Sequence, residues 1–340
     1  MMENVKVSVL VAVFNAEKYL ECCLDSLLNQ TLREIQVLCV DDASTDSSWQ
    51  ILQRYAALDT RVEIFQQPLN MGQAKARNLA LHHAKGQYTC FLDSDDYLAE
   101  DALRLLVECF EKDAEVDAVL FDCHYVYPDG REKSYQMPSF AYLSGKEAFR
   151  RSLDWQIHGV YAVRTSIHLR FPYDESSHAY SDDNTTRLHY LACRKVGCCD
   201  GIYYYRQHAS SVTHRVSVRR FDYLLANFSM RKQMLELGVG AKNLAYYENL
   251  RWLNIVGLVL YAFRYRLRGL SLADYEQGMR VVKQMWMSID VAALPFRLRY
   301  KFGYIPFRSA LLPRQLAWHL FLLQERFYYL IRRMLGNLPD

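Results

Sequence analysis

The 340-residue sequence has no run of about twenty apolar residues, the length that a helix needs to cross a bilayer. Its nine cysteines include no Cys-x-x-Cys pair, which excludes a readable zinc ribbon or thioredoxin-like motif. The first apolar stretch, residues 7–14, has the length of a strand and meets a turn signal at once, so no signal peptide is predicted. These absences favour a cytoplasmic protein with reduced thiols.

No glycine-rich phosphate loop follows the first predicted strand. A Rossmann dinucleotide site would carry Gly-x-Gly-x-x-Gly there, and a nucleotidyltransferase or pyrophosphorylase would carry a loop with glycine and lysine. This chain has Phe14, Asn15, Ala16 and Glu17 instead. The absence excludes a hydride-transferring Rossmann enzyme and disfavours the nucleotidyltransferase, which stays open as an alternative.

Acidic residues are scarce in the C-terminal part of the chain. Residues 215–340 contain 20 Lys and Arg against 8 Asp and Glu, a balance of +12, whereas residues 1–214 contain 21 against 30, a balance of −9. A chain of this length forms about two domains. We predict that residues 1–214 form an α/β domain and that residues 215–340 form a helical region, basic and rich in aromatics.

The first hundred residues alternate between short apolar runs and helical patterns, which is typical of β-α-β units. Strands are predicted at residues 7–14, 35–40, 62–65 and 88–92, and helices at residues 16–30, 44–57 and 72–84. A hairpin is predicted at residues 118–131, with its turn at residues 128–130. The alternation predicts a mostly parallel sheet with flanking helices.

Polar residues follow three of the predicted strands. Asn15 follows the first strand, the pair Asp41 and Asp42 follows the second, and the run of residues 93–96 (DSDD) follows the fourth. In α/β sheets ligands bind at the carboxyl ends of the strands, and converging carboxylates are tolerated where a cation lies between them. Asp93 and Asp95 therefore predict a site for Mg²⁺ or Mn²⁺ with a diphosphate. The alternative is a helix N-cap at the same place.

Four segments resemble the motifs of family 2 glycosyltransferases in order and spacing. They are residues 7–20 (VSVLVAVFNAEKYL), 40–46 (VDDASTD), 70–78 (NMG followed by ARN) and 93–96 (DSDD). They span about the first third of the chain, and the resemblance continues more weakly to about residue 214. It implies a GT-A fold (a Rossmann-like, mostly parallel sheet with flanking helices), a nucleotide-sugar donor and Mn²⁺ or Mg²⁺ as cofactor.

The resemblance also implies roles for residues of these motifs. The residues implied to bind the nucleotide sugar are Phe14, Asn15, Glu17, Asp41, Asp42, Arg77, Asp93 and Ser94. The first loop would line the nucleobase pocket, and Asp41 and Asp42 would hold the base and ribose, with Arg77 close by. Asp95 would be the main metal ligand, assisted by Asp93. Family members usually have Gly in place of Ala43, which alters loop stiffness rather than chemistry.

A second acidic pair, Asp182 and Asp183, resembles the family's Glu-Asp pair, whose second member is the catalytic base. An inverting transfer needs a base that takes the proton of the acceptor hydroxyl. A neighbouring carboxylate raises proton affinity, which suits this role. We therefore assign Asp183 as the base, with Asp182 in place of the usual Glu. The alternative is the N-cap of a helix over residues 185–192.

Residues 203–214 resemble the closing motif of the family. Arg206, His208 and Ser211 would bind the diphosphate of the donor, where negative charge develops as it leaves, and His208 would also reach the metal. The alternative is a set of ordinary surface polar residues.

From Pro313 onwards the sequence predicts an amphipathic helix. Its apolar positions are Leu316, Leu320, Leu323, Phe327, Leu330 and Met334, and its polar positions are Gln315, His319, Arg326 and Arg333. This pattern predicts peripheral contact with an anionic membrane at its inner, cytoplasmic face. Packing on its own domain and a homo-oligomer interface are the alternatives, and no nucleic-acid motif accompanies the basic residues.

Together these features predict an inverting glycosyltransferase. Its donor would be a nucleotide diphosphate sugar, UDP-linked by family association, carrying a hexose or N-acetylhexosamine. The acceptor would be a saccharide, free or lipid-linked, in a cell-surface glycan such as lipopolysaccharide or capsule. A non-catalytic nucleotide-sugar-binding protein is the alternative outside the enzymes.

Overall fold

The computed structural model describes residues 5–175, 180–208, 216–308 and 311–336. The chain divides into two compact units, Met1–Ser211 and Val212–Asp340. The first unit contains a sheet with helices, whereas the described residues of the second form helices and loops. All nine cysteines are free thiols.

The sheet of the first unit has ten strands. They are β1 (Val7–Val13), β2 (Ile35–Asp41), β3 (Val62–Gln66), β4 (Tyr88–Phe91), β5 (Tyr97–Leu98), β6 (Val116–Val126), β7 (Glu132–Ser134), β8 (Tyr142–Ser144), β9 (Tyr161–Arg164) and β10 (Lys195–Arg206). Their order is β3-β2-β1-β4-β9-β6-β10-β5, with β7 beside β6 and β8 beside β10. Strands β1 to β4 pair in parallel, as do β6 and β10, while β9 runs antiparallel to β4 and β6. The predicted mostly parallel sheet is confirmed.

In the described part of the first unit, seven helices accompany the strands. They are α1 (Leu20–Leu28), α2 (Ser48–Leu58), α3 (Gln73–His82), α4 (Ala102–Lys112), α5 (Gly145–Ser152), α6 (Thr165–Arg170) and α7 (Ser181–Ala192). Helices α1 and α2 each begin four residues later than predicted, at Leu20 and Ser48. The residues that precede these helices form hydrogen bonds between the loops after β1 and β2, so their polar groups are bonded there and not within a helix.

The central strands are buried on both faces, which explains their continuous apolar runs. Val9 and Val11 of β1 pack in one layer with Leu24 of α1. Leu10 points to the opposite layer, where it packs with Ala76 of α3. The helices on the two faces therefore fix the sheet, and the loops at its carboxyl edge are free to build a site.

The second unit contains α8 (Asp222–Glu236), α9 (Ala241–Tyr265), α10 (Leu272–Met287), α11 (Phe296–Arg299) and α12 (Arg314–Met334). Its core is aromatic: the ring of Phe321 lies 5.5 Å from that of Trp252 and 5.8 Å from that of Trp286, centroid to centroid. None of the helices in the described ranges is long and apolar enough to cross a membrane.

Helix α12, the amphipathic helix predicted from the sequence, has two apolar faces. Ala317, Trp318 and Phe321 are buried in the core of the second unit, so one face packs on its own unit. The predicted apolar positions lie mostly on the other face and are exposed: Leu316, Leu323, Phe327, Leu330 and Met334. The face that meets the core is therefore not the one to which the sequence pattern assigned the membrane contact.

Candidate active site

The polar residues after β1, β2 and β4 lie at one edge of the sheet. Strand β1 pairs in parallel with both β2 and β4, so the carboxyl ends of all three strands point the same way. This brings Asn15 and Asp93, in the loops after β1 and β4, to the same edge as Asp41, the last residue of β2. The convergence expected from the sequence is thus present in the structure.

The loop after β1 is locked to the loop after β2 by hydrogen bonds. The Asn15 side-chain oxygen accepts from the Thr45 backbone N–H at 2.8 Å, and the Glu17 carboxylate accepts from the Ser47 N–H at 2.9 Å. Ala43 has a φ of 59°, the left-handed region that favours glycine. Asn15 and Glu17 therefore shape this part of the site through the backbone, and the ring of Phe14 is left 47% exposed beside them.

Asp41 and Asp42 are both buried but differ in their partners. The two oxygens of Asp42 accept from the backbone N–H groups of Met71 and Gly72 at 2.7 and 2.8 Å. Asp41 Oδ2 accepts from Gln66 Nε2 at 3.0 Å, while Asp41 Oδ1 has no hydrogen-bond partner among the described residues. Asp42 thus holds the loop before α3, and Asp41 keeps an acceptor for a ligand donor.

The acidic run after β4 forms a tight turn in which the Asp96 N–H donates to the Asp93 carbonyl at 2.9 Å. Asp96 is buried, and its carboxylate accepts from the Tyr203 hydroxyl at 2.9 Å and the Arg206 N–H at 2.7 Å. Burial raises the pKa of Asp96 well above its ordinary value, and the charges of Asp93 and Asp95 act in the same direction. The N-cap alternative for this run is wrong, because β5 follows it directly and α4 begins only at Ala102.

Asp95 is the carboxylate of the run that faces His208. Asp95 Oδ2 lies 2.8 Å from His208 Nε2, and the His208 ring stacks on Tyr19 at 4.9 Å. One carboxylate oxygen from each of Asp93, Asp95 and Asp96 lies within 4.8 Å of the others. Hard oxygen ligands with one imidazole suit Mn²⁺ or Mg²⁺, so the donor set fits the implied divalent cation.

Arg77 lies between Asp93 of the acidic turn and Asp182 of the second acidic pair. Its guanidinium is 1% exposed, donates to Asp93 Oδ1 at 2.5 Å and lies 3.7 Å from Asp182 Oδ2. It also stacks over the rings of Phe91 and Tyr173, at 4.2 and 5.2 Å. Arg77 thus links the acidic turn after β4 to Asp182.

The second acidic pair lies in the first turn of α7, which begins at Ser181. Burial raises the pKa of Asp183 to about 7, the positive charge of Arg187 opposes this shift, and the charge of Asp182 adds to it. Asp182 Oδ1 accepts from the Asp183 N–H at 3.1 Å. The N-cap residue of α7 is Tyr180, so neither aspartate is the cap. Both lie in the first turn, where a carboxylate favours the positive end of the helix, and Asp182 also lies 3.7 Å from Arg77. The pair thus joins the site through Arg77.

Arg206 ends β10 beside the acidic turn. Its guanidinium stacks on Tyr19 and Tyr97, at 4.8 and 5.1 Å. It therefore presents a positive charge next to the acidic turn. Ser211 lies outside the described residues.

Comparison with known proteins places this geometry in a family. The family model "Glycosyl transferase family 2" matches residues 8–174. The Bacillus subtilis protein EpsH, named as a glycosyltransferase, is 30% identical over 256 residues, which cover 69% of this chain and 70% of EpsH. The chain belongs to glycosyltransferase family 2 and is a glycosyltransferase. The nucleotidyltransferase and the non-catalytic binding protein are both disfavoured by this result.

Two further comparisons describe the relatives of this glycosyltransferase. A poly(ribitol-phosphate) beta-glucosyltransferase of Bacillus spizizenii is 42% identical over 118 residues, 34% of this chain and 18% of that protein. The crystal structure of S. aureus TarS 1-349 in complex with UDP-GlcNAc superposes with a TM-score of 0.68 at 20% identity, covering 95% of this chain and 91% of TarS 1-349. The TarS likeness confirms the predicted GT-A-type fold with its helical C-terminal region.

Three residues of the glycosyltransferase site were missed by the sequence reasoning. Asp96 and Tyr203 join the acidic turn to β10, and Gln73 donates to Asp93 Oδ1 at 2.9 Å. Tyr203 also accepts from the Asp93 N–H at 3.2 Å. The sequence holds one hint, the aromatic run at residues 203–205 next to Arg206, but nothing in it shows which of the three tyrosines points at the turn.

Proposed function

We propose that this glycosyltransferase moves a hexose or N-acetylhexosamine from a UDP-linked donor to a saccharide acceptor, with inversion at the anomeric carbon. The observation that carries the proposal is the cluster in which Arg77 bonds Asp93 and approaches Asp182, while Asp95 faces His208. This cluster joins the proposed cation site to the pair Asp182 and Asp183, which would accept the proton of the acceptor. The UDP-GlcNAc bound by TarS and the glucosyl transfer named for the Bacillus spizizenii relative support the donor class.

The donor is assigned to the carboxyl edge of the first unit. Phe14 offers an exposed ring on which a nucleobase stacks, and the free Asp41 Oδ1 accepts a hydrogen bond from that base. Asp95, Asp93 and His208 would hold Mn²⁺ or Mg²⁺, and the bound cation supplies charge that neutralises the diphosphate. Arg206 places its guanidinium near the same phosphates, where it stabilises the leaving group.

Asp183 is assigned as the base. Its carboxylate takes the proton of the acceptor hydroxyl while that oxygen bonds the anomeric carbon and the bond from this carbon to the diphosphate breaks. The pKa of about 7 leaves a substantial fraction of Asp183 ionised near neutral pH and still basic enough to accept a proton. Attack from the face opposite the diphosphate produces inversion.

The first unit, assigned as residues 1–214, acts as the nucleotide-sugar-binding and catalytic domain in this proposal. The product belongs to a cell-surface glycan, such as lipopolysaccharide, capsule or a related polymer, since the relatives include an enzyme that acts on poly(ribitol phosphate).

A donor panel tests the proposal. Purified protein is incubated with UDP-, GDP- and dTDP-linked hexoses and N-acetylhexosamines, with and without Mn²⁺, and nucleotide release is measured. We expect release from UDP sugars that depends on the cation. NMR of the transferred sugar is expected to show the anomeric configuration opposite to that of the donor. Retention of configuration would overturn the assignment of Asp183, and full activity in EDTA would overturn that of Asp95.

We also propose that the exposed face of α12 contacts the inner surface of an anionic membrane. This face comprises Leu316, Leu323, Phe327, Leu330 and Met334, with Arg326 and Arg333 also exposed on the helix. Phe327 is 55% exposed and Met334 is 78% exposed, so apolar surface is available without unfolding the helix. Each basic residue near an anionic surface adds about 1 kcal/mol.

Co-sedimentation with phosphatidylglycerol vesicles tests the membrane contact. Removing α12 is unsuitable because Trp318 and Phe321 belong to the core. The double variant Phe327→Ser/Leu330→Ser is compared with Leu267→Ser, which changes a residue that is 93% exposed elsewhere in the unit. We expect binding to fall in the double variant alone and to weaken with salt. Unchanged sedimentation, or loss of a homodimer without loss of vesicle binding, would contradict the proposal.

A further inference from the structure

The second unit contains a cleft of about 940 Å³ that the proposed reaction does not use. It is bordered by Arg231 of α8, by the end of α10 at Trp286, by Arg308, and by the start of α12 at Arg314 and Ala317. All of these residues belong to the second unit, so the cleft is built by this unit alone.

Arginine side chains from three separate segments line this cleft. Arg308 donates to the carbonyl oxygens of Trp286, at 3.3 Å, and Ile289, and its guanidinium lies over the Trp286 ring at 5.7 Å. Arg314 is the first residue of α12 and is exposed. Arg231 is the third. Arg231 is paired with Glu248, so the like charges that the fold holds near each other are Arg308 and Arg314, which costs free energy unless an anion offsets it.

Two carboxylates act on the cleft, that of Asp290 in its lining and that of Glu248 nearby. Buried Glu248 accepts from Arg231 Nε at 2.8 Å, from Arg251 at 2.7 Å and from the Asp290 N–H at 2.6 Å. Asp290 Oδ1 accepts from the Ala292 N–H at 3.0 Å. Within the part of the chain that the structure describes, neither Arg308 nor Arg314 forms an ion pair with a carboxylate.

Two further observations make the cleft electropositive. Burial lowers the pKa of Arg308 and the nearby charge of Arg314 lowers it further, whereas the charges of Asp290 and Glu248 raise it. In addition, α12 begins at the cleft without a side-chain hydrogen bond that caps its N-terminus. The positive end of this 21-residue helix adds to the field of the arginines.

We propose that this cleft binds a phosphate group, as a diphosphate or phosphodiester, through Arg308 and Arg314. The planar guanidinium forms paired hydrogen bonds with phosphate oxygens, and the cleft is larger than a single ion requires, so the phosphate belongs to a longer molecule. Two sources share this chemistry, a phosphate-containing glycan and the head group of an anionic phospholipid. The proposal concerns binding by the second unit and stands apart from the donor site.

Isothermal titration calorimetry of the full chain with inorganic pyrophosphate tests the proposal. EDTA is present throughout, so that cation-dependent binding at the acidic turn does not contribute. Arg314→Gln removes a side chain with no ion pair among the described residues, so we expect a folded protein with affinity lowered about threefold to tenfold. Arg308→Gln/Arg314→Gln is expected to lose at least about tenfold. Arg268→Gln, at an exposed arginine outside the cleft, is the charge-matched control and should leave affinity unchanged.

The same variants distinguish the two sources. A soluble glycerol-phosphate oligomer is titrated in one arm, and phosphatidylglycerol vesicles are sedimented in the other. Loss of oligomer binding in the double variant with unchanged vesicle binding assigns the cleft to a phosphate-containing glycan, and the reverse assigns it to a lipid head group. Absence of saturable pyrophosphate binding by the unaltered chain up to millimolar concentration would overturn the proposal. Equal affinities of the double variant and the unaltered chain would overturn it as well.

Discussion

Each unit of this glycosyltransferase contains a cluster of buried or partly buried charged side chains, and the two clusters are neutralised to different extents. In the second unit, Glu248 is surrounded by two arginines, Arg231 and Arg251, and by a backbone N–H. In the first unit, one carboxylate oxygen from each of the three aspartates of the turn lies within 4.8 Å of the others, and Arg77 donates to Asp93.

This difference separates a structural cluster from a functional one. A buried carboxylate with all its partners in place stabilises the folded chain, and removing the charge leaves its cationic partners uncompensated. A cluster with excess negative charge raises the pKa of its members, as burial and neighbouring carboxylates do for Asp96, and it gains stability when a cation binds. The excess charge, rather than burial itself, distinguishes the active site.

The largest expected effect is that of Asp95→Asn, which removes negative charge where the turn faces His208. We expect sugar transfer to fall by about a thousandfold or more, since the cation loses its main protein ligand. Cation-dependent UDP binding, measured by calorimetry, should disappear as well. Asp101→Asn, at an exposed aspartate before α4, is the control and should be fully active. An active Asp95→Asn enzyme in which UDP binding still depends on Mn²⁺ would show that other residues hold the cation.

Asp183→Asn is expected to lower kcat by about a hundredfold to ten-thousandfold while donor affinity stays unchanged. A base acts on the acceptor proton in the transition state, so its loss affects turnover rather than binding of the nucleotide sugar. Single-turnover kinetics together with UDP-sugar titration separates the two quantities. If Asp182→Asn is inactive and Asp183→Asn is active, the roles of the pair are reversed.

Glu248→Gln tests the cluster of the second unit, in which Glu248 is paired with Arg231 and Arg251. Loss of the charge leaves Arg231 and Arg251 without their carboxylate, and we expect the free energy of unfolding to fall by about 3 kcal/mol. Urea unfolding followed by tryptophan fluorescence measures this change. Glu236→Gln is the control, because Glu236 is exposed and pairs with Lys232 at 3.7 Å, and it should change stability by less than about 1 kcal/mol. Equal effects of the two variants would remove the distinction between the clusters.

The smallest expected effect concerns pH. The pKa of Asp183 is raised from 3.8 to about 7 in the folded protein. The free energy of unfolding therefore falls as the pH rises between these two values, because the folded chain disfavours the ionised carboxylate. The base acts when ionised, so kcat/KM should rise with pH through about 7. Asp182→Asn removes a like charge beside Asp183, and we expect the rise of kcat/KM to move to lower pH. If kcat/KM rises at the same pH in this variant, Asp182 does not influence the base.

The β-α-β order of the first unit was predictable from local patterns, because apolar period and strand length are properties of short segments. Strands β1 to β4 match their predicted positions closely. The polar residues at their ends were predictable for the same reason, since the carboxyl ends of parallel strands share one edge. The sequence by itself thus determined the class of fold, the acidic turn after β4 and the family.

Tertiary structure alone decided which of these side chains meet. Tyr203 and Arg206 reach Asp96 from more than a hundred residues away, and Arg77 lies between Asp93 and Asp182. Helix α12 shows the same limit, because a helix with apolar residues on two sides packs the side whose shape fits Trp252 and Trp286. Local pattern specifies which elements form, whereas the pairing of distant side chains depends on packing between elements that lie far apart in the chain.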